Sequence, residues 1–396
     1  MDWITTFNAL KSVYIDEAFS NIAINEAIEQ HPACSTGFVR TFAKGVIRET
    51  LRLDHYIDQL AAKGINGIKN RTLIVLRMGI YAIVALDSVP DYAAVNEAVK
   101  LARKVSKGSD KFVNGMLRSF LRQRDELDVC GTFPAELEAM IRDQYGDEAD
   151  KLMKALDTPV PLVLRPNRLK TGETEPIIVS KSGTLVQNAS SKPVPDFQNG
   201  LYSVQSLSSI EAIEALAPKA GARVLDMCAA PGGKTCAMAE IMGNEGEIIA
   251  CDVYEHRLEL INAQAKRLGI DIINTQLLDG TEHRAEFENS FDYVLADVPC
   301  SGLGVIPSKP EIKLRTDVGS YDDLIEIQAA ILKNALSYAK SGGFVEYSTC
   351  TINKHENDEV VERVLAECSN LPQIVEKQSI LPYNNKVGFF YCIMKK

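Results

Sequence analysis

Apolar positions recur at helical spacing through the first third of the chain. The stretch RTLIVLRMGIYAIVAL (residues 71–86) is too apolar for a surface helix, which predicts that it forms the centre of a bundle. It is followed by VPDYAAVNEAVKLARK (89–104), with Pro90 near a helix start, and by the amphipathic stretch DKFVNGMLRSFLRQR (110–124). The pattern predicts an all-α domain of five to seven helices over residues 1–127.

The pattern changes between residues 128 and 200. The stretch PAELEAMIRDQYGDEADKLMKAL (134–156) predicts two short helices, and PVPLVLRPNRLKTG (159–172) predicts an extended segment. Turn-forming residues dominate SGTLVQNASSKPVPDFQNG (182–200), which favours loops and short strands. Residues 128–200 are therefore predicted to form a small α+β connecting module.

From residue 201 onward, strand-like and helix-like segments alternate. Apolar strand patterns occur near residues 223, 247, 273, 293, 342 and 388, and helical stretches such as HRLELINAQAKRLG separate most of them. Alternation of this kind is typical of a parallel sheet covered by helices on both faces. Residues 201–396 are therefore predicted to form an α/β domain.

Length and charge refine this picture. A chain of 396 residues has enough material for two or three domains, and its formal net charge of −10 argues mildly against a nucleic-acid partner. Residues 100–124, however, contain eight Lys or Arg residues and a single acid, Asp110. This cluster is either a solvated helix face or a patch that contacts phosphates.

The cysteines and the apolar runs indicate the class of protein. None of the nine cysteines forms a CxxC pair or a Cys/His cluster with zinc spacing, so no structural metal is expected. No apolar run is long enough to cross a bilayer, and the first residues do not resemble a signal peptide. We expect a cytoplasmic monomer with mostly reduced, buried cysteines.

The stretch VLDMCAAPGGKTCAMAE (224–240) predicts a strand that ends at Asp226, a glycine turn and a helix that begins near Lys234. Such a turn lets a ligand approach the backbone, with the positive end of the helix beneath it. A phosphate-binding P-loop would need a glycine where Cys228 stands, and the G-x-G-x-x-G dinucleotide pattern is absent. The P-loop interpretation therefore fails, and the expectation of NAD binding is weakened.

Two further aspartates follow predicted strands. Asp252 lies 20 residues after Gly232, which is the spacing at which an acid receives ribose hydroxyls in nucleotide-binding α/β folds. Asp279 is expected near the adenine side of the same ligand, or it is simply a turn former before Gly280.

Two cysteines stand at strand ends rather than within strands. Asp297 and Cys300 follow one predicted strand, and Cys350 follows another. Ligands of open α/β sheets bind outside the carboxyl ends of the strands, so these residues should share one edge with Asp226 and Asp252. Their position separates Cys300 and Cys350 from the seven other cysteines.

These motifs resemble those of a known family. DMCAAPGGKT (226–235), ADVPCSGLGVIPSKPEIK (296–313) and EYSTCTINKHEN (346–357) are similar to the signature motifs of RNA cytosine-C5 methyltransferases. RMGIYAIVALDSVPDYAAVNEAVKLARK (77–104) and FVNGMLR (112–118) resemble the helical RNA-binding domain related to the antitermination factor NusB. The combination resembles the RsmB (Sun/Fmu) branch, which modifies 16S rRNA.

The resemblance implies a Rossmann-like class I methyltransferase domain with S-adenosylmethionine as cofactor. The implied cofactor-binding residues are Cys228, Ala229, Ala230, Pro231, Gly232, Gly233, Lys234, Asp252, Asp279 and Asp297. It further implies that Cys350 attacks C6 of the cytosine, that Cys300 promotes release and that Asp297 contacts the base. C5 of cytosine is a poor nucleophile, and addition of a thiolate to C6 makes it enamine-like. The residues alone do not decide which cysteine has which role.

An RNA substrate implies contacts with phosphates. The residues predicted to make them are Lys104, Lys107, Arg165, Arg168, Lys309 and Lys313. Three alternatives remain open at this point: a cytosine-C5 methyltransferase that acts on tRNA or another RNA, a non-catalytic RNA-binding factor for ribosome assembly, and a dehydrogenase-like nucleotide enzyme. The last would need a hydride-handling site, which five scattered histidines do not suggest.

Overall fold

The computed structural model describes residues 1–179, 197–368 and 370–396. Most of the turn-rich segment predicted at 182–200 lies outside the described residues. The chain forms two compact units, one of residues 1–140 with 309–316 and the other of residues 141–308 with 317–396. The domain boundaries that the sequence predicts, at 127/128 and 200/201, are a separate division of the chain and remain predictions.

Unit 1 is helical, as the apolar pattern predicts. Residues 1–127 are all described and contain seven α-helices, which are α1 (Asp2–Tyr14), α2 (Ser20–Gln30), α3 (Thr36–Arg48), α4 (Thr50–Leu60), α5 (Asn70–Ala85), α6 (Asp91–Val105) and α7 (Asp110–Gln123). The strongly apolar α5 is central, with Ile74, Val75 and Leu76 buried. A Cβ on Gly79 would lie 2.8 Å from a methyl group of Leu117, so glycine permits the close approach of α5 and α7.

A short segment from much later in the sequence belongs to unit 1. Residues 309–316 contain a 3₁₀ turn, Pro310–Leu314. The buried carboxylate of Glu311 accepts a hydrogen bond from the backbone N–H of Ser20 (2.8 Å), at the start of α2. Arg315 donates to the carbonyl oxygens of Val13 (3.1 Å) and Ala18 (2.8 Å). The segment therefore closes the α1–α2 corner of the bundle.

A small antiparallel sheet and short helices occupy the middle of the chain. The helices are α8 (Ala135–Tyr145), α9 (Ala149–Leu156) and α10 (Arg168–Thr171), and the strands are β1 (Leu162–Pro166), β2 (Ile177–Val179) and β3 (Tyr202–Val204). The order of this sheet is β2-β1-β3. The two short helices and the extended segment predicted here form as expected.

A seven-stranded sheet with the order β6-β5-β4-β7-β8-β10-β9 forms the larger part of unit 2. Its strands are β4 (Arg223–Asp226), β5 (Glu247–Asp252), β6 (Ile273–Leu277), β7 (Phe291–Asp297), β8 (Ala339–Thr349), β9 (Gln373–Ile380) and β10 (Phe389–Lys395). The helices around it are α11 (Leu207–Leu216), α12 (Gly233–Ile241), α13 (Glu255–Leu268), α14 (Tyr321–Tyr338) and α15 (Asp358–Ala366). The predicted Rossmann-like architecture is confirmed.

The end of the sheet departs from the parallel prediction. β4 to β8 pair in parallel, whereas β10 is antiparallel to both β8 and β9. The expected parallel arrangement therefore holds for β4 to β8, and the sheet as a whole is mixed. β10 follows β9 through a hairpin, which imposes antiparallel pairing between these two strands. β9 was not predicted, since its residues are mostly exposed and lack an apolar run.

Candidate active site

The glycine turn lies between β4 and α12. Gly232 adopts φ +98°, and a Cβ there would lie 3.1 Å from the Cα of Ile261, so both the conformation and the packing require glycine. The backbone N–H of Ala229 donates to the carbonyl of Cys251 (2.8 Å), which fixes the turn against the end of β5. The structure thus places residues 228–234 at the carboxyl edge of the sheet.

The aspartate that ends β4 lies beneath this turn. Asp226 is buried, and its Oδ2 accepts a hydrogen bond from the Thr235 hydroxyl (2.7 Å). Its Oδ1 is buried without a hydrogen-bond partner among the described residues. Burial raises the pKa of Asp226 to about 7. An unpaired acceptor at this edge can receive a donor group from a ligand.

Asp252 and Asp279 differ in their surroundings. Asp252 is buried at the end of β5, and its Oδ1 accepts from the N–H of Tyr254 and from Arg257, both at 3.2 Å. Asp279 is exposed, and its Oδ1 accepts from the N–H (2.9 Å) and the hydroxyl (2.7 Å) of Thr281. Asp252 therefore has the fixed position of a ligand-binding acid. Asp279 forms a turn with Thr281, and its contact with a cofactor remains a prediction.

These residues fit S-adenosylmethionine. The cofactor carries ribose hydroxyls, an ammonium and a sulfonium, and the edge offers the orphaned Oδ1 of Asp226, the fixed carboxylate of Asp252 and a turn open to close backbone approach. When bound, S-adenosylmethionine supplies an activated methyl group.

The two strand-end cysteines meet at the neighbouring part of the same edge. The Sγ atoms of Cys300 and Cys350 are 3.3 Å apart, although 50 positions separate them in sequence. The contact with Cys350 and burial together raise the pKa of the Cys300 thiol well above its usual range. The backbone N–H of Gly304 donates to the carbonyl of Cys350 (3.0 Å), which ties the two loops together. Cys300 is thus held as a neutral thiol beside Cys350.

Asp297 lies at the end of β7, between the glycine turn and the thiols. Its Oδ2 accepts from the Nζ of Lys234 (2.6 Å), and its Oδ1 accepts from the hydroxyl of Ser348 (3.0 Å). Burial alone would favour a neutral lysine, but Asp297 outweighs it and raises the pKa of Lys234, with a smaller contribution from Cys350. A permanent ammonium therefore lies within electrostatic range of the Cys350 sulfur.

A buried glutamate, Glu356, connects the two cysteine loops. Glu356 accepts from the N–H and the hydroxyl of Ser301, which follows Cys300. It also accepts from the side chains of Gln328 (3.0 Å) and Asn353 (3.1 Å), and Asn353 lies in the loop after Cys350. The KHEN sequence after Cys350 carries this residue, but only the contact with the distant Ser301 reveals its function.

Two of the residues predicted to bind RNA are buried, and these assignments are corrected. Arg165 is 4% exposed, and its guanidinium donates to Glu240 and to Gln205 (2.6 Å). Lys313 is fully buried, with its Nζ 4.6 Å from the centre of the Phe133 ring. Both long side chains are enclosed by neighbours distant in sequence, so neither is presented to a phosphate.

The other four predicted RNA-binding residues reach the surface to different degrees. Arg168 is partly exposed and forms an ion pair with Glu214, and the Nζ of Lys309 lies 5.3 Å from the centre of the Phe19 ring. Lys104 and Lys107, at the end of α6 and just beyond it, are exposed. Contact of these residues with RNA remains a prediction.

The structure gives no indication of a metal site or a membrane-spanning helix in the described residues. Among the described residues, no group of three or more His, Cys, Asp or Glu side chains is arranged to hold a metal ion. In the same part of the chain, none of the helices combines the length and the apolar character needed to traverse a bilayer.

Comparisons with known proteins identify the family. Residues 213–392 match the family model of the 16S rRNA methyltransferase RsmB/F, and residues 4–122 match the NusB family. A relative in Bacillus subtilis, named as a probable ribosomal RNA small subunit methyltransferase B, is 32% identical over 98% of this chain and 97% of its own length.

Solved structures support the fold. The structure of PH0851 has a TM-score of 0.81 at 21% identity and covers 99% of this chain and 98% of its own. NSun6 from Pyrococcus horikoshii, solved with SFG, has a TM-score of 0.56 at 21% identity and covers 67% of this chain and 98% of its own. With a glycine turn that fits S-adenosylmethionine and a NusB-family domain ahead of the catalytic domain, the chain belongs to the RsmB family of S-adenosylmethionine-dependent rRNA methyltransferases.

Proposed function

We propose that this protein methylates C5 of one cytosine in 16S rRNA through a covalent bond between Cys350 and C6 of the base. The observation that carries the proposal is the contact of the Cys300 and Cys350 sulfurs, 3.3 Å apart, beside the Lys234–Asp297 ion pair. A methyltransferase that acts on an oxygen or an exocyclic nitrogen has no use for two thiols at this place, whereas C5 chemistry needs a nucleophile and a means of releasing it.

Cys350 is the group that attacks the base. A free cysteine has a pKa near 8.5, so it needs a positive neighbour to become a thiolate at neutral pH. Lys234 is held as an ammonium by Asp297 and supplies that charge. Addition of the thiolate to C6 pushes electrons onto C5, which then accepts the methyl group.

Asp297 is placed to orient the cytosine. Its carboxylate, fixed by Lys234 and Ser348, accepts a hydrogen bond from the amino group at C4 and keeps the base in register with the sulfur. Because C5 and C6 are inaccessible within a stacked helix, the cytosine enters unpaired or flipped out of its helix.

Cys300 has its role in release. After methyl transfer the C5 proton leaves to a base, the C5–C6 double bond re-forms and the bond from Cys350 sulfur to C6 breaks. The neutral Cys300 thiol, 3.3 Å from the departing sulfur, donates a hydrogen bond that stabilises the leaving thiolate.

Covalent capture tests the reaction. RNA that contains 5-fluorocytosine at the target position cannot lose a proton from C5, so the purified protein with S-adenosylmethionine should form an adduct visible by mass spectrometry. Cys350→Ser should form no adduct and no 5-methylcytosine. Cys300→Ala should attack ordinary RNA but retain it, giving a slowly migrating band on a denaturing gel. Turnover by Cys300→Ala at the wild-type rate would show that Cys300 is not needed for release. Methylation by Cys350→Ser would show that Cys350 is not the nucleophile.

The substrate requires a separate experiment. Bisulfite sequencing of 16S rRNA from cells with and without the gene should reveal one cytosine that loses protection in the deletion strain. Loss of protection in tRNA, with 16S rRNA unchanged, would reassign the substrate and leave the two-thiol chemistry in place.

A further inference from the structure

Glu346 is a buried acid for which the proposed reaction has no use. It lies in β8, between Leu295 of β7 and Ile393 of β10, and is fully buried. Neither of its carboxylate oxygens has a hydrogen-bond partner among the described residues. Burial of a carboxylate without partners is costly, so such a group retains its proton or finds a compensating charge.

The position of Glu346 connects it to the thiol nucleophile. Side chains alternate along a strand, so Glu346 and Ser348 point to the same face of β8, and Cys350 follows two residues further on. That Ser348 hydroxyl donates to Asp297, the partner of Lys234. Glu346 therefore lies on the catalytic face of the sheet, behind the residues that touch the substrate.

The charges that face Glu346 are unbalanced. Lys234 of α12 is the cation that acts on it, whereas Asp297 of β7 and Asp226 of β4 are acids that disfavour its ionisation. On β10, the Tyr391 hydroxyl donates to Glu376. On α11, the buried Ser208 hydroxyl donates to the carbonyl of Val387 (2.7 Å), and Glu211 and Glu214 pair with Lys386 and Arg168. Burial raises the pKa of Glu346 well above its ordinary value, and Lys234 and the nearby Ser348 hydroxyl only partly offset this.

We propose that Glu346 is a positioning residue for methyl transfer. As a neutral acid it does not compete for the Lys234 ammonium, which then interacts with Asp297 and the Cys350 thiolate. Once ionised, Glu346 competes for the same ammonium and disfavours the negative charge on sulfur. The inference rests on the proposed function, because its effect is exerted through Cys350.

This arrangement predicts the shape of a pH profile. The rate of adduct formation rises as Cys350 loses its proton and falls, at higher pH, as Glu346 loses its own. Above the pKa of a single controlling acid, the rate falls by about tenfold per pH unit. Loss of the falling limb on removal of the Glu346 carboxyl is the signature that separates this role from a merely structural one.

The test compares the wild type with Glu346→Gln, which has nearly the shape of the protonated acid and cannot ionise. Single-turnover rates of capture by 5-fluorocytosine RNA are measured from pH 6 to pH 10. Glu346→Gln should retain the wild-type rate near neutrality and lose the falling limb. Glu362→Gln, an exposed acid of α15, is the matched control and should reproduce the wild-type profile. Identical profiles for the wild type and Glu346→Gln, or a variant that folds but is inactive at all pH values, would overturn the inference.

A stability measurement decides the protonation state without RNA. A glutamate whose pKa is raised on folding contributes stability that is complete below its unfolded pKa of about 4.3 and is lost as pH rises through the raised value. The urea midpoint of the wild type should therefore fall relative to that of Glu346→Gln between pH 5 and pH 9. Parallel midpoints would contradict a neutral Glu346. If the wild type forms no adduct at any pH, the proposed function fails, and the midpoints still report on Glu346.

Discussion

Two ion pairs in unit 2, one buried and one partly buried, differ in the balance of their charges. Arg165 of β1 and Glu240 of α12 form one pair, with side chains 4% and 0% exposed, and Gln205 accepts a further hydrogen bond from the guanidinium. Lys234 and Asp297 form the other, but Asp226 and Glu346 face the same ammonium. The acid of the first pair has Arg165 as its partner and Arg168 nearby, whereas the second pair has one cation for three acids.

This difference implies that one ion pair stabilises the fold and that the other takes part in the reaction. A balanced, enclosed pair has one stable protonation state, and it fixes the small antiparallel sheet against α12. An unbalanced cluster must keep some acids neutral, so its protonation responds to a ligand, to a thiolate or to pH. The balanced pair should therefore control folding, and the unbalanced cluster should control the reaction.

The largest effect is expected where the balanced pair is broken. Arg165→Ala leaves Glu240 as an uncompensated buried acid, which should lower the free energy of unfolding by about 3–5 kcal/mol. Urea denaturation measures this change. A double variant with Met at both positions removes both charges and should be much less destabilised. If the double variant is as unstable as Arg165→Ala, packing rather than charge explains the cost.

Breaking the unbalanced pair should mainly affect the reaction. Lys234→Met removes the ammonium beside Cys350, and the rate of adduct formation should fall by about 10²–10³-fold, as on loss of one preorganised electrostatic contact. Capture by 5-fluorocytosine RNA under single-turnover conditions measures it. Arg165→Met with Glu240→Met is the comparison and should leave the rate within a few-fold of the wild type. If Lys234→Met forms the adduct at close to the wild-type rate, the Lys234–Asp297 pair does not control the reaction, and the proposed difference between the two ion pairs fails.

The smallest effect is expected from charges outside both clusters. Simultaneous Lys104→Ala and Lys107→Ala should weaken RNA binding by a few-fold and reduce the slope of log K against log salt by about 2. Fluorescence anisotropy at several salt concentrations measures both quantities. The exposed pair Lys63→Ala and Lys154→Ala is the control, because neither residue lies beside Lys104 or Lys107. Equal changes in the two variants would indicate a general charge effect and no patch at the end of α6.

The sequence predicts what depends on local pattern. Alternation of apolar segments locates six of the seven strands in the larger sheet, and strand-end position alone distinguishes Cys300 and Cys350 from the buried cysteines. Prediction from sequence fails where residues distant in the chain determine the burial of a side chain. Arg165 looks like a surface residue until Glu240, 75 positions later, encloses it. Glu346 reads as the polar member of an alternating strand, and only the burial of both sheet faces reveals its unusual environment.

The segment 309–316 has a consequence for how this protein can be divided. Glu311 and Arg315 complete the α1–α2 corner, yet they lie between the Cys300 loop and α14 in sequence. A chain cut near residue 127 therefore does not yield two self-sufficient pieces. The catalytic fragment keeps eight residues whose partners have been removed, and the helical fragment lacks the group that caps the Ser20 N–H. Exchange of the helical unit between relatives would require these eight residues to be exchanged with it, because the unit is built from two separate stretches of the chain.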